Sequence, residues 1–254
     1  MKSDAGSDRS EVFPWLADLA GAWIFYSVLP PWPWPQPSFK RIARFASWIG
    51  LLIGAFQAML WWGMTVLGWG TLALAPLVMA AGICLGGGLH HDGLMDTADG
   101  LAAGFSRRLE AMQDSRVGAS GVLALAVALL LELAALVQLS DQAPVALCLA
   151  GFWGRVSPLW AIARFNYLRP DGTASFHRRH YQNWWDALPA GLGLLVLALF
   201  IPLFPLLVGA PVSLVVADCL GRHLGGYTGD SYGAAVVITE VFTLLLLAGL
   251  AAAS

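Results

Sequence analysis

Charge is what this sequence has least of. Its 254 residues include 14 basic and 16 acidic side chains, a 12% charged share, where soluble domains carry roughly 25%. A body of this size cannot cover a water-facing surface with so few, so a soluble globular domain is excluded. The 58% hydrophobic share, above the globular norm of about 45–50%, excludes disorder as well. There is no basic excess. A formal net charge of −2 argues against nucleic acid as a partner. Cysteine is scarce too: Cys84, Cys148 and Cys219 each sit in an apolar run, and no two share a ligand-like spacing. That pattern reads as core filling, with neither a disulfide frame nor a zinc site. No signal peptide is expected. The opening MKSDAGSDRSEV is polar and of mixed charge, and no small-residue cleavage site ends a following apolar core. It reads as a polar tail, 1–12, ahead of a single membrane-embedded catalytic domain, 13–254.

What the chain has instead is long apolar runs, so its partner is a lipid bilayer. A crossing helix needs about 20 apolar residues. Phe45–Leu67, Thr71–Leu89, Ala119–Leu139, Ala143–Ala163 and Gly233–Ala253 meet that need. Residues 187–220 hold one charge, Asp218, and are long enough for two short spans broken near Pro202 and Pro205. The expectation is an all-α, polytopic helical bundle of about seven transmembrane helices. Phe13–Leu29 has basic flanks on both sides, which suits a re-entrant or interfacial helix. Basic residues alternate along the connections as 3, 0, 3, 0, 4, 0, 1 and 0. The positive-inside rule then places residues 30–44, 90–118, 164–186 and 221–232 in the cytoplasm and the C-terminus outside. The expected location is the cell (inner or plasma) membrane, with the active site facing the cytoplasm.

Chemistry concentrates in residues 86–116. Asp92, Asp96 and Asp99 are spaced i, i+4, i+7, one narrow stripe on a helix. Three carboxylates so close repel one another unless a cation joins them. Oxygen-only ligands favour Mg²⁺ or Mn²⁺, which typically bind few carboxylates plus substrate phosphates. A solvated acidic face is the bland alternative, and it fits poorly in a chain with 16 acids in all. His90 and His91 point about 100° apart on a helix and cannot easily share one zinc ion, so a phosphate contact or an interfacial role suits His90 better. Glu110 and Asp114 form a second i, i+4 acidic pair, with Arg107, Arg108 and Arg116 around them. Carboxylates for metal and arginines for anions are the toolkit of phosphoryl transfer.

The segments GGGLHHDGLMDTADGL (86–101), LEAMQDSRVGASGVLAL (109–125) and RHLGGYTGDSYGA (222–234), with the shorter WGRVSP (153–158), resemble the signature blocks of the cobalamin-5′-phosphate synthase family, the adenosylcobinamide-GDP ribazoletransferases. The likeness runs from about Ser27 to Glu240. It implies a Mg²⁺-dependent membrane transferase for the last assembly step of cobalamin biosynthesis. Such an enzyme joins adenosylcobinamide-GDP to α-ribazole or its 5′-phosphate and releases GMP. The N-terminal YSVLPPWP matches the family only loosely, and no role is transferred to it. Asp96-Thr-Ala-Asp99-Gly100-Leu-Ala-Ala103 also resembles the start of the CDP-alcohol phosphotransferase pattern, although Gly104 stands where those lipid enzymes have arginine and Glu110 where they have aspartate.

On these likenesses Asp92, Asp96, Asp99 and Glu110 are the expected metal ligands. Asp114 is the expected general base, and Arg116 a catalytic cation beside it. Arg155 and Arg222 would offset phosphate charge. Gly225, Gly226 and Gly229 would allow close backbone approach, with Thr228 beside them and Asp230 as a further metal or ribose contact. In the polar segment 164–186, His177, Arg178 and Arg179 either dock a phosphate or the flat benzimidazole base or belong to an interfacial loop. Arg155 and Glu132 lie inside apolar runs, where they either face the bundle interior or pair with each other. Two other functions remain: a CDP-alcohol phosphotransferase of phospholipid synthesis, and a cation-coupled transporter. No repeat of the span pattern relates the two halves, and the carboxylates crowd one side, which weighs against transport.

Overall fold

A computed structural model describes residues 13–172 and 174–253. The polar tail 1–12 and the C-terminal Ser254 lie outside the described residues. The expected all-α class holds: the described residues form helices and turns, with one isolated bridge, Tyr167 to Tyr227, and no strand. In chain order they are α1 (Pro14–Tyr26), α2 (Ala46–Val66), α3 (Thr71–Leu85), α4 (Leu89–Ala102), α5 (Arg108–Ala111), α6 (Ala119–Leu139) and α7 (Ala143–Arg164). Then come α8 (Ser175–Arg179), α9 (Leu188–Leu197), α10 (Leu203–Leu207), α11 (Gly209–Leu224) and α12 (Gly229–Ala253).

The expected count of about seven spans is corrected. Among the described residues four helical stretches are long and apolar enough to cross: Ile42–Val66, Ala119–Arg164, Leu203–Leu224 and Gly229–Ala253. A fifth is reached only if Thr71–Leu85 and Leu89–Ala102 count as one broken span. The reasons are local. The 15 residues of α3 rise only about 22 Å at 1.5 Å each, short of a hydrocarbon core of about 30 Å. The chain then turns 91° into α4. Gly87 and Gly88 take positive φ of 63° and 70° at that corner, which side-chain-bearing residues avoid. Residues 187–220 do not split into two spans, because α9 has only 10 residues and the long stretch begins at Leu203. Ala119–Arg164 counts as one helical stretch of 46 residues, its α6 and α7 joined by a 3-10 turn at Ser140–Gln142 where Ser140 takes a non-helical φ of 49°. The chain is a multi-pass membrane protein, and α1, with 13 residues, is too short to cross.

Lipid tails are as apolar as leucine, so packing and not water exclusion holds such helices together. Small residues let them approach. Gly50 of α2 and Gly151 of α7 face each other so closely that a Cβ on either would strike the other's carbonyl. α12 is the central strut and packs against α4, α6, α7 and α11. Phe152, Leu149, Leu136, Val78 and Leu244 fill the space between helices and are nearly fully buried. α4 carries three aspartates and two histidines and lies outside the four crossing stretches, laid against the start of α12.

Candidate active site

Three segments distant in sequence meet at the start of α12. The first is α4, whose Gly93 sits so near α12 that a Cβ there would lie 2.5 Å from the Asp230 carbonyl oxygen. That contact sets the aspartate stripe beside Asp230. The second is the end of α7 and its continuation: the Leu168 N–H donates to the Tyr227 carbonyl at 2.7 Å, and the Tyr227 N–H donates to the Asn166 carbonyl at 2.9 Å. The third is the α11–α12 turn. Gly225 and Gly226 have positive φ of 70° and 148°, and the Gly226 N–H reaches back to the Gly221 carbonyl at 3.0 Å, a Schellman closure. Thr228 then opens α12 reciprocally with Ser231: the Thr228 N–H donates to Ser231 Oγ at 2.7 Å, and the Ser231 N–H donates to Thr228 Oγ1 at 3.2 Å. Gly225, Gly226 and Thr228 therefore build the turn that presents Asp230.

The stripe is real, and its members differ. Asp92, Asp96 and Asp99 line one cavity of about 300 Å³ together with Gln113, Asp114 and Arg116. Asp99 is already engaged: one carboxylate oxygen accepts the Gly118 N–H at 2.8 Å and the other the Gly121 N–H at 2.8 Å. It satisfies two of the first free donors of α6, a capping role that spacing within α4 cannot show. Asp99→Ala is expected to lower stability by about 1–2 kcal/mol through loss of the cap, read as a drop in the detergent unfolding temperature; an unchanged transition would contradict this. Asp96 carries no such bonds. Burial, and then the charges of Asp92, Asp230 and Asp99, push its carboxyl up to about 6.

Asp114 is held in a fork by Arg116, with Nε at 3.0 and 3.2 Å and Nη2 at 2.6 Å from its oxygens, and the Arg116 N–H adds a bond at 3.1 Å. These bonds hold the Asp114 carboxyl down at about 2. Glu110 stays outside: it is exposed, 3.7 Å from Arg107, and is absent from the acidic cavity's lining.

A second cavity of about 120 Å³ lies on the other side of Asp92 and is lined by His90, Arg155, His177, Gly229 and Asp230 as well. Arg155, buried, pairs with Glu240 at 2.6 Å and donates to the Gly151 carbonyl at 3.1 Å, while its Nε is unpartnered. Its partner is thus Glu240 of α12 and not Glu132, which lines the small space beside that pair. Burial lowers the His177 imidazole to about 3, so it is neutral.

The remaining cations are elsewhere. Arg178 donates to the Ile162 carbonyl at 2.8 Å, closing the end of α7, and Arg179 donates to the Pro170 carbonyl at 2.6 Å. Arg222 pairs with Asp218 at 3.2 Å on the outer face of α11. None of the three lines either cavity.

One site residue escaped the sequence. Arg169 pairs with Asp230 at 3.0 Å and donates to the Leu109 carbonyl at 3.0 Å, so it ties α12 to the segment that closes over the stripe. It was legible only as one of four basic residues in a long loop.

Among the described residues no three His, Cys, Asp or Glu side chains form a ready-made metal group. The donor set still suits Mg²⁺, which keeps several waters and is usually held by one or two carboxylates plus substrate phosphates. Asp92 and Asp96, hard oxygens on one stripe with one of them raised by burial and by its acidic neighbours, match that pattern.

Comparison with known proteins gives a consistent result. The family model described as cobalamin-5-phosphate synthase matches residues 18–248. An adenosylcobinamide-GDP ribazoletransferase of Prochlorococcus marinus (strain MIT 9303) is 57% identical over 250 residues, covering 92% of this chain and 96% of that protein. Proteins of the same description from another Prochlorococcus marinus strain and from Synechocystis are 42% and 40% identical. The first of these alignments covers 91% of this chain and 95% of the relative, the second 93% and 96%. No solved structure matches.

Proposed function

The chain belongs to the cobalamin-5-phosphate synthase family, and on that premise we propose that it joins adenosylcobinamide-GDP to α-ribazole or its 5′-phosphate with release of GMP. The observation that carries this reading is the meeting of the aspartate stripe with Asp230 at two adjoining cavities. One is lined by Asp92, Asp96, Asp99 and Asp114 with Arg116; the other by Asp92 and Asp230 with Arg155, His90 and His177. A hydroxyl of the ribazole attacks the pyrophosphate phosphorus on the cobinamide side. The new P–O bond forms as the bridging P–O bond breaks, and the electron pair leaves with GMP.

Asp92 and Asp96 would hold Mg²⁺, which when bound supplies positive charge against the pyrophosphate oxygens. Asp99 orients the stripe through its cap on α6. Arg155 reaches the phosphates with the donors that Glu240 and Gly151 leave free. Asp114 takes the hydroxyl proton, and Arg116 is its gate. A carboxylate held near 2 is a weak base, so Arg116 must turn from Asp114 onto the substrate phosphates before the proton can move. Such an exchange frees the base only when substrate is present, and it adds charge stabilisation where charge develops. The site faces the cytoplasm, because the loops that converge on it, 30–44, 90–118 and 164–186, carry 10 of the 14 basic residues.

The test is direct. Purified protein with Mg²⁺ and adenosylcobinamide-GDP should release GMP only when α-ribazole or its phosphate is added. Turnover of CDP-diacylglycerol with an alcohol, and none of the cobinamide substrate, would overturn the assignment in favour of a phospholipid synthase.

A further inference from the structure

The smaller cavity has walls that the phosphate chemistry does not use. Phe25 and Tyr26 at the end of α1, His177 on α8 and Tyr232 on α12 all line it, with Leu159, Ile162 and Val236 completing an apolar floor. The rings are set against one another. Phe25 stands edge-on to His177 at 6.0 Å and 87°, and Tyr232 meets the same imidazole at 6.1 Å and 89°. Tyr232 is braced from behind by Tyr227, stacked at 5.0 Å and 13°. Tyr227 is itself fixed through its hydroxyl, which donates to the Ala217 carbonyl at 2.8 Å.

Two polar groups in this wall have no partner among the described residues. His177 Nδ1 and the Tyr232 hydroxyl are buried and make no hydrogen bond among the described residues, and both residues are more than nine-tenths covered. Native proteins seldom leave such atoms unmet. The cavity of about 120 Å³ is bounded by these rings and also lined by Asp92, Asp230 and Arg155, so a flat group held between the rings would extend toward the charged residues.

We propose that this cavity seats the flat, fused nitrogen heterocycle of the acceptor nucleoside, so that Phe25, Tyr26, His177 and Tyr232 determine acceptor specificity. The inference rests on the transferase reading above and adds which substrate, and which part of it, the aromatic wall recognises. A benzimidazole linked to ribose keeps one free ring nitrogen and two apolar faces, which match a wall of rings with two polar atoms. Guanine of the donor would need several donors and acceptors along one edge, and the apolar floor offers none. With the base seated, the ribose lies at the rim beside Asp92 and Asp230, next to the acidic cavity where the pyrophosphate is held.

Benzimidazole itself is the probe. It should inhibit competitively against α-ribazole and not against adenosylcobinamide-GDP. Phe25→Ala should raise KM for α-ribazole roughly 3- to 10-fold, as expected for one lost ring contact, with kcat and KM for the GDP substrate within about twofold. Tyr232→Phe keeps the ring and removes an unmet hydroxyl. It should raise KM for α-ribazole without lowering the unfolding temperature, so it carries the test should Phe25→Ala fail to fold. A rise confined to KM for the GDP substrate, or competition of benzimidazole with that substrate, would overturn the assignment. Should the wild type turn over neither substrate, the reaction reading falls. Calorimetric titration of the detergent-solubilised protein with benzimidazole still decides the cavity: binding weakened by Phe25→Ala supports it, and no binding to the wild type overturns it.

Discussion

Asp92→Asn and Asp96→Asn are each expected to lower ribazole-dependent GMP release by about 10²–10³-fold or more, the usual effect of losing an essential charge contact in the transition state. An amide keeps the shape of the carboxylate and loses the charge that would hold Mg²⁺. The loss should not come from unfolding, and stability supplies the control. The Asp96 carboxyl rises from 3.8 to about 6 in the folded protein, so ionising it opposes folding. Below its unfolded value both states are protonated and the penalty is absent; it grows as pH climbs through the window to about 6 and is complete above. Asp96→Asn should therefore raise the unfolding temperature of the metal-free protein at pH 7 and leave it nearly unchanged near pH 3, below the unfolded value. An inactive variant that is also less stable at pH 7 would point to a packing role and remove this aspartate from the proposed mechanism.

The second large effect concerns the charge pair inside the bundle. Arg155 is 4% exposed and bonded to Glu240 at 2.6 Å. Breaking a buried pair from one side leaves an uncompensated charge and costs about 3–5 kcal/mol. Arg155→Met should lower stability by that order. Adding Glu240→Leu should restore most of it, because replacing both charges with apolar groups of similar volume is often close to neutral. Activity separates the two roles of the arginine. If Arg155 also meets the substrate phosphates, the double variant folds well and stays impaired, with KM for the GDP substrate raised. Full activity in the double variant would confine Arg155 to holding α7 against α12.

The aspartate stripe and its closeness to RHLGGYTGD were legible because period and motif spacing fix which side chains share a face and which blocks carry chemistry. What joins faces from different helices was not. Spacing along α4 marks Asp99 as a candidate metal ligand; that it also caps α6 comes only from the through-space approach of Gly118 and Gly121. Arg155 lacks a nearby acid in sequence, so the expected partner is Glu132 and not Glu240, which is 85 residues away. The span count failed for a related reason. An apolar run reports that lipid or protein surrounds a segment, but not that the helix stays straight. Three glycines at 86–88 turned one apolar run into a corner, and the prolines at 202 and 205 mark the start of a long helix rather than the middle of two short ones. Tyr26 and Tyr232 carried no signal, since aromatic residues are common throughout this chain and only the fold brings these two to one cavity.

The central claim is that Asp92 and Asp96 gather a divalent cation against the pyrophosphate of the donor. Mn²⁺ bound to the detergent-solubilised protein can be followed by electron paramagnetic resonance, with and without adenosylcobinamide-GDP. The account predicts that the GDP substrate tightens Mn²⁺ binding to the wild type and that Asp92→Asn and Asp96→Asn abolish this gain while remaining folded. Mn²⁺ binding that ignores the substrate, or that both variants retain at full strength, would contradict it.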